Sequence, residues 1–283
     1  MTKPGRPVSR LRLAAAILAA ALFVAVAPFR DNGTAANEIP VDLELILAVD
    51  ISGSMDFDEL QIQRRGYVEA LRHPDVIRAI ESGFLGRIAI SMVEWAGPAS
   101  QRTVLPWRLI ETGEDAISAS EVLGAQPINN MRGTSISGLL NYTRDMFTGN
   151  GYSGTRQVID ISGDGPNRSG GLVTAARDRT LDKGIIINGL PIVLSPGIWS
   201  TSALSPDELA LYYEDCVIGG FSSFIIAVQA KEELVTAIRR KMILEIASAT
   251  PRIIPAAMQL TEPRIDCLIG EKRWQQRMQQ EIE

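Results

Sequence analysis

Asp50, Ser52 and Ser54 stand two residues apart at the end of VDLELILAVDISGSM, residues 41–55. A carboxylate and two hydroxyls on a turn after an apolar run offer oxygen to a hard cation such as Mg²⁺, which wants carboxylate, hydroxyl and water ligands. The position fits the chemistry, because open α/β sheets bind ligands just beyond the carboxyl ends of their strands. Two further segments supply oxygen at comparable places. Thr134 follows Gly133 in NNMRGTSISGLL, just ahead of a helix. Its hydroxyl either caps that helix or reaches a metal beside the first strand. Asp164 ends a second buried strand in VIDISGDGPN, within a glycine-rich turn. Strand, carboxylate, tight turn and helix therefore occur twice in one chain.

Other chemistries compete for these residues. Taken alone, Asp50, Ser52 and Ser54 suit turn and capping chemistry, since Ser, Asp and Gly dominate such loops. Thr134 and Asp164, following in order, favour metal. Asp56 and Asp58 suit the N-terminus of the next helix. Asp160, inside QVIDIS, is either an acceptor behind the metal ligands or a hydrogen-bonded polar residue of the strand. DISGDG mimics the start of a calcium-binding EF-hand loop, but Gly171 stands where the closing Glu belongs. His73 is the single histidine and precedes Pro74, which suits a structural or surface role and leaves a Ser–His–Asp triad without support. Neither a GxSxG elbow nor a P-loop or GxGxxG occurs. One alternative is a Mg-dependent phosphohydrolase with Asp50 as nucleophile. Such enzymes typically carry a general-acid Asp two residues later, and Ser52 cannot do that proton transfer near neutral pH. A structural assembly protein with a non-functional site is the other alternative.

The elements that would position these groups alternate strand-like apolar runs with amphipathic helices, which argues for a mostly parallel sheet covered on both faces. Strands are expected at Leu43–Val49, Arg87–Trp95, Thr103–Leu109, Gln157–Ser162, Ile185–Leu190 and Ser223–Val228. Thr103–Leu109 belongs on an edge, because Pro106 cannot donate to a ladder. Helices are expected at Asp58–Leu71, Glu114–Leu123, Ser135–Phe147, Leu172–Leu181, Ser205–Tyr213 and Lys231–Ser248. From Arg252 onward the chain reads as an extension.

Residues 1–12 carry Lys3, Arg6, Arg10 and Arg12, and Leu13–Ala27 then runs uncharged for 15 residues. This is the pattern of a secretory signal peptide, and it is short for a membrane span of roughly 20 residues. Cleavage after Ala36 gives residues 1–36 as signal peptide, 37–249 as the domain and 250–283 as the extension. The product would be periplasmic or secreted, with no membrane insertion after signal removal; an uncleaved anchor is the alternative. Losing residues 1–36 removes five basic residues and one acid, leaving 23 basic against 32 acidic, a net of −9. A chain so acidic, without a basic run, is a poor nucleic-acid binder. After export, Cys216 and Cys267 can pair; two separate buried thiols are the alternative.

AspIleSerGlySer at residues 50–54, after its apolar strand, resembles the DxSxS signature of von Willebrand factor A domains. Gly133-Thr134 and Ser162-Gly-Asp164-Gly resemble the other two metal-site segments of that fold. AVDISGSMD, VEWAGP, ISGDGPN, YYEDCVIGG and AIRRKMILEIA resemble one bacterial branch of it, the family of domain of unknown function 1194. The resemblance implies a Rossmann-like, mostly parallel six-stranded sheet with helices on both faces and one antiparallel edge strand. It also implies a metal-ion-dependent adhesion site holding Mg²⁺, with Mn²⁺ as a second possibility. Ser52, Ser54 and Thr134 would ligate directly, and Asp50 and Asp164 directly or through water. A protein or other partner would supply a carboxylate to the remaining coordination position. In many such domains the last helix shifts on binding, which here points to Lys231–Ser248.

Overall fold

A computed structural model describes Met1 and residues 38–194, 204–247 and 264–280. The chain divides into two compact units, Met1–Ala35 and Ala36–Glu283. The expected signal segment lies, Met1 apart, outside the described residues. In chain order the second unit contains β1 (Ile39–Val41), β2 (Leu43–Asp50), α1 (Phe57–Arg72), α2 (Pro74–Glu81), β3 (Ile88–Trp95), β4 (Gln101–Ile110), α3 (Gly113–Gly124), α4 (Ile136–Thr143), β5 (Tyr152–Gly154), β6 (Gln157–Gly163), α5 (Val173–Leu181), β7 (Ile186–Pro191), α6 (Pro206–Tyr212), α7 (Leu234–Ala247) and α8 (Ile269–Gln280). A π turn, Tyr213–Val217, continues α6, and a 3-10 turn, Lys231–Glu233, leads into α7.

Every residue of β2 and β3 is buried, as near-continuously apolar strands require when a parallel sheet is covered on both faces. Along β2, Leu43, Leu45, Leu47 and Val49 join one core, and Ile46 and Ala48 the other. The strand's two-residue period divides them. The first core takes Tyr67 of α1, Val76 of α2, Ala116 of α3 and Leu234 of α7. The second takes Ile136 of α4, Val173 of α5, Leu209 of α6 and Cys216 of the π turn. The main sheet runs β4-β3-β2-β6-β7. Its pairs are parallel except β3–β4, the expected antiparallel edge. Pro106 is exposed on β4, and the register slips around it between Ile90 and Met92. β1 and β5 form a separate parallel pair.

The main sheet has five strands rather than the expected six. Ser223–Val228 lies along β7 but forms only isolated bridges, at Ile225 and Val228. Gly189 N donates to Phe224 O, Ile226 N to Gly189 O, Val228 N to Pro191 O and Val193 N to Val228 O. The absent rung is the one residue 191 would donate, and proline has no N–H. The expected helix over Ser135–Phe147 stops at Thr143, and turns closed by Met146 N to Thr143 O and Thr148 N to Asp145 O follow. Asp56 caps α1, accepting from Glu59 N at 2.7 Å while the Glu59 side chain accepts from Asp56 N. His73 caps α2 and pairs with Arg239 at 2.9 Å, a structural role.

Candidate metal centre

From β2 the chain builds outward through β3 to β4, then re-enters on the other side of β2 at β6. The switch point therefore lies between the carboxyl ends of β2 and β6, where such sheets form their ligand crevice. Asp50 is the last residue of β2, and Asp164 follows the last residue of β6.

Four of the five expected residues are joined there by hydrogen bonds. Asp50 Oδ1 accepts from Ser52 N at 2.7 Å. The Ser52 and Ser54 hydroxyls are 3.1 Å apart, and Ser54 Oγ donates to Asp164 Oδ1 at 2.8 Å. Thr134 is brought alongside through its main chain. Met131 N donates to Ile51 O, Ser135 N to Ala96 O, and Arg168 N to Thr134 O at 3.0 Å. The Thr134 segment is thus tied to the ends of β2 and β3 and to the loop carrying Asp164, and Thr134 is buried. Ser135, not Thr134, supplies the side-chain cap of α4. Gly133 has φ +87, and a Cβ there would lie 3.1 Å from Gly97 Cα, so glycine lets the two loops touch.

Asp50 is completely buried, and its Oδ2 has no hydrogen-bond partner among the described residues. Burial, then the adjacent Asp164 carboxylate, pushes the Asp50 carboxyl well above the ordinary carboxylate range, outweighing the bonds from Ser52. Burial also raises Asp164, against the pull of the Ser54 hydroxyl. Two neighbouring carboxyls that resist ionisation, one with an orphaned oxygen, are what a divalent cation would relieve. The donor set suits such an ion: two carboxylates with hydroxyls from Ser52, Ser54 and Thr134. No cluster of three or more His, Cys, Asp or Glu side chains fit for a metal occurs among the described residues. A site at this crevice therefore depends on hydroxyls.

Several neighbours escaped the sequence reading. A Cβ on Gly163 would come within 2.7 Å of Tyr213 Oη, 3.0 Å of Asp50 Oδ2 and 3.1 Å of Trp95 Cζ2. Tyr213 and Trp95 thus wall the crevice from the π turn and from β3. Their segments, YYEDC and VEW, stood out only through family resemblance. Asp160 belongs to no ligand shell: its buried carboxylate pairs with Lys241 of α7. Cys216 and Cys267 are bonded, which ties the residues before α8 to the π turn.

Residues 40–250 match the sequence profile of a family described as protein of unknown function (DUF1194). The chain belongs to that family. No curated protein matches it. Among solved structures, this DUF1194 chain is similar to proximal thread matrix protein 1 of the mussel byssus, in a structure whose MIDAS motif is occupied by zinc. The TM-score is 0.54 at 17% identity, over 74% of this chain and 49% of that one. It is similar to the pilus adhesin SpaC of Lactobacillus rhamnosus GG, at TM-score 0.54 and 12% identity, over 74% of this chain and 31% of that one. A von Willebrand factor type A protein of Catenulispora acidiphila aligns at TM-score 0.48 and 16% identity, over 73% and 43% of the two chains. The DUF1194 chain spans about half of the mussel protein and about a third of the adhesin. Its fold is that of a von Willebrand factor A domain.

Proposed function

We propose that this protein is an exported, divalent-metal-dependent recognition module that grips an acidic group of a partner. The observation that carries the reading is Asp50 Oδ2, buried beside Asp164 at the sheet's switch point and without a hydrogen-bond partner among the described residues. Ser52, Ser54 and Thr134 would hold the ion, with Asp50 and Asp164 binding directly or through water. Bound there, Mg²⁺ or Mn²⁺ supplies an electrophilic coordination position that an incoming Glu or Asp carboxylate completes. The mussel protein, similar in fold, has a MIDAS motif occupied by zinc, which supports a divalent ion as the cofactor. The acidic balance of the chain disfavours nucleic acid, and no helix among the described residues is long and apolar enough to cross a membrane. The N-terminal charge and hydropathy pattern supports the periplasm or the exterior as its place of work.

Calorimetric titration of the purified chain with Mg²⁺, Mn²⁺ and Zn²⁺, with Asp50→Ala beside it, tests the reading. Saturable binding near one equivalent, lost in the variant while circular dichroism is retained, is the expected result. Turnover of a generic phosphoester that requires Asp50 would instead establish the hydrolase alternative. Absence of any metal response would remove the site.

A further inference from the structure

The loop after Asp164 is not held by the sheet alone. Asn167 is fully buried, and its polar atoms serve three helices and its own loop. Its N donates to Tyr212 Oη of α6 at 3.1 Å, and its Oδ1 accepts from Ser137 N of α4 at 2.9 Å. Its Nδ2 donates to Gly171 O within the loop and to Glu271 Oε1 of α8 at 2.6 Å. The next residue, Arg168, carries the bond to Thr134 O. Asn167 therefore connects the Asp164 and Thr134 segments to the C-terminal helix. α8 reaches the loop with its backbone as well: a Cβ on Gly270 would lie 2.0 Å from Asn167 O, so only glycine permits this approach.

The residues leading into α8 and its first turns are anchored to α6 and the π turn. Arg264 pairs with Glu214 and Asp215, Cys267 is bonded to Cys216, and Arg273 lies 3.6 Å from Glu208. The anchoring has a directional consequence, because α8 is pressed against a loop three residues from Asp164 and not merely against the core. Glu271 Oε2 is itself buried without a hydrogen-bond partner among the described residues.

We infer that α8 is a working part of the metal centre, with Glu271 as a positioning residue that acts through Asn167 to fix the loop bearing Asp164. Resting on the function proposed above, this makes the cation affinity of the site depend on a helix outside the sheet and on the Cys216–Cys267 bond. Reduction of the disulfide, or displacement of α8, would loosen the loop and weaken the site while the sheet stays folded.

The full chain with Glu271→Ala, Glu271→Gln and Gly270→Ala tests this by two measurements. One is amide exchange at residues 165–171 in EDTA; the other is Mg²⁺ titration by calorimetry. Glutamine keeps an acceptor oxygen, whereas alanine removes it and Gly270→Ala pushes the helix away without changing charge. Loss of a bond to a charged group should speed exchange in the loop and weaken Mg²⁺ about tenfold or more in Glu271→Ala and Gly270→Ala. Glu271→Gln should restore most of both, and thermal midpoints should show each variant folded. Wild-type exchange and wild-type affinity in both disruptive variants would overturn the inference. Should a variant fail to fold, the wild-type protein under dithiothreitol gives the same comparison. If the wild-type chain binds no cation, the proposed function fails; loop exchange in EDTA then still decides whether Glu271 braces the loop.

Discussion

Asp50→Asn should make the metal-free protein more stable while abolishing its response to metal. Asparagine keeps an oxygen to accept from Ser52 N, carries no charge, and replaces the orphaned acceptor with an amide donor that the facing Asp164 carboxyl can accept from. It removes a fully buried carboxyl whose Oδ2 has no partner among the described residues and whose ionisation is opposed by burial and by Asp164. A buried polar group left unsatisfied costs about 1–3 kcal/mol, and more when charged. For a domain of this size about 1 kcal/mol moves the thermal midpoint by roughly 2–4 °C, so the midpoint in EDTA should rise by about 2–12 °C. The pH dependence follows from the direction of the shift. A carboxyl raised in the folded state contributes stability below its unfolded pKa, and this is lost as pH rises through the folded pKa. The gain from asparagine should therefore be largest at neutral and alkaline pH and shrink in acid. Scanning calorimetry from pH 4 to pH 8, with and without Mg²⁺, reads all three expectations. The wild-type midpoint should rise with Mg²⁺ as mass action requires, and that of the variant should not. A lower midpoint for Asp50→Asn in EDTA would refute the account of Asp50 as a residue held at a cost for binding.

Lys241→Met should destabilise by about 3–5 kcal/mol in urea unfolding, because it strands the buried Asp160 and Glu245 carboxylates without their cation; a loss below 1 kcal/mol would mean that neither depends on it. Burial, then the Asp160 charge, pushes Glu245 up to about 7 from its ordinary 4.5. Its contribution to stability should be present below pH 4.5 and lost as pH rises through 7, and Glu245→Gln should flatten that part of the profile. Gly163→Ala would place a methyl against Tyr213 Oη and Asp50 Oδ2, lowering both the thermal midpoint and Mg²⁺ affinity; unchanged affinity would mean that the crevice wall is not part of the site. Replacing both cysteines by serine frees a closure spanning 51 residues, a loss of about 4 kcal/mol in the chain-entropy picture, readable as a lower thermal midpoint.

Much of this was legible in the chain because the signals are local. β2 and β3 are almost unbroken apolar runs, β6 carries Val158, Ile159 and Ile161, and the Asp50, Ser52, Ser54 and Asp164 oxygens sit at the ends of β2 and β6. The missing sixth strand was not legible, since the proline that interrupts its ladder belongs to β7, not to Ser223–Val228. α8 was equally hidden. IGEKRWQQRMQQ has no apolar stripe to mark a packed face, and its closest approach uses Gly270, which has no side chain. Lys241 reads as a surface residue of an amphipathic helix until Asp160, remote in sequence, is placed opposite it. Tyr213 and Trp95 join the crevice only once three distant segments meet at Gly163.

Buried carboxylates elsewhere in the domain show how unusual Asp50 is. Asp42 accepts from Leu85 N and Arg87 N. Glu44 accepts from Asn150, Gly154 N and Gln157. Glu94 is held by Arg64 and Arg102, and Asp160 and Glu245 share Lys241. The chain therefore has the means to compensate buried charge and uses them along the body of the sheet. At the switch point it does the reverse: Asp50 pairs with no cation among the described residues and faces a second carboxylate. Arg168 lies close enough to interact with both acids yet forms an ion pair with neither. Departures from polar satisfaction concentrate where a protein binds or reacts. Arginine or lysine beside the buried acids along the body of the sheet, against two facing carboxyls between β2 and β6, is the pattern expected if the missing positive charge arrives from solution.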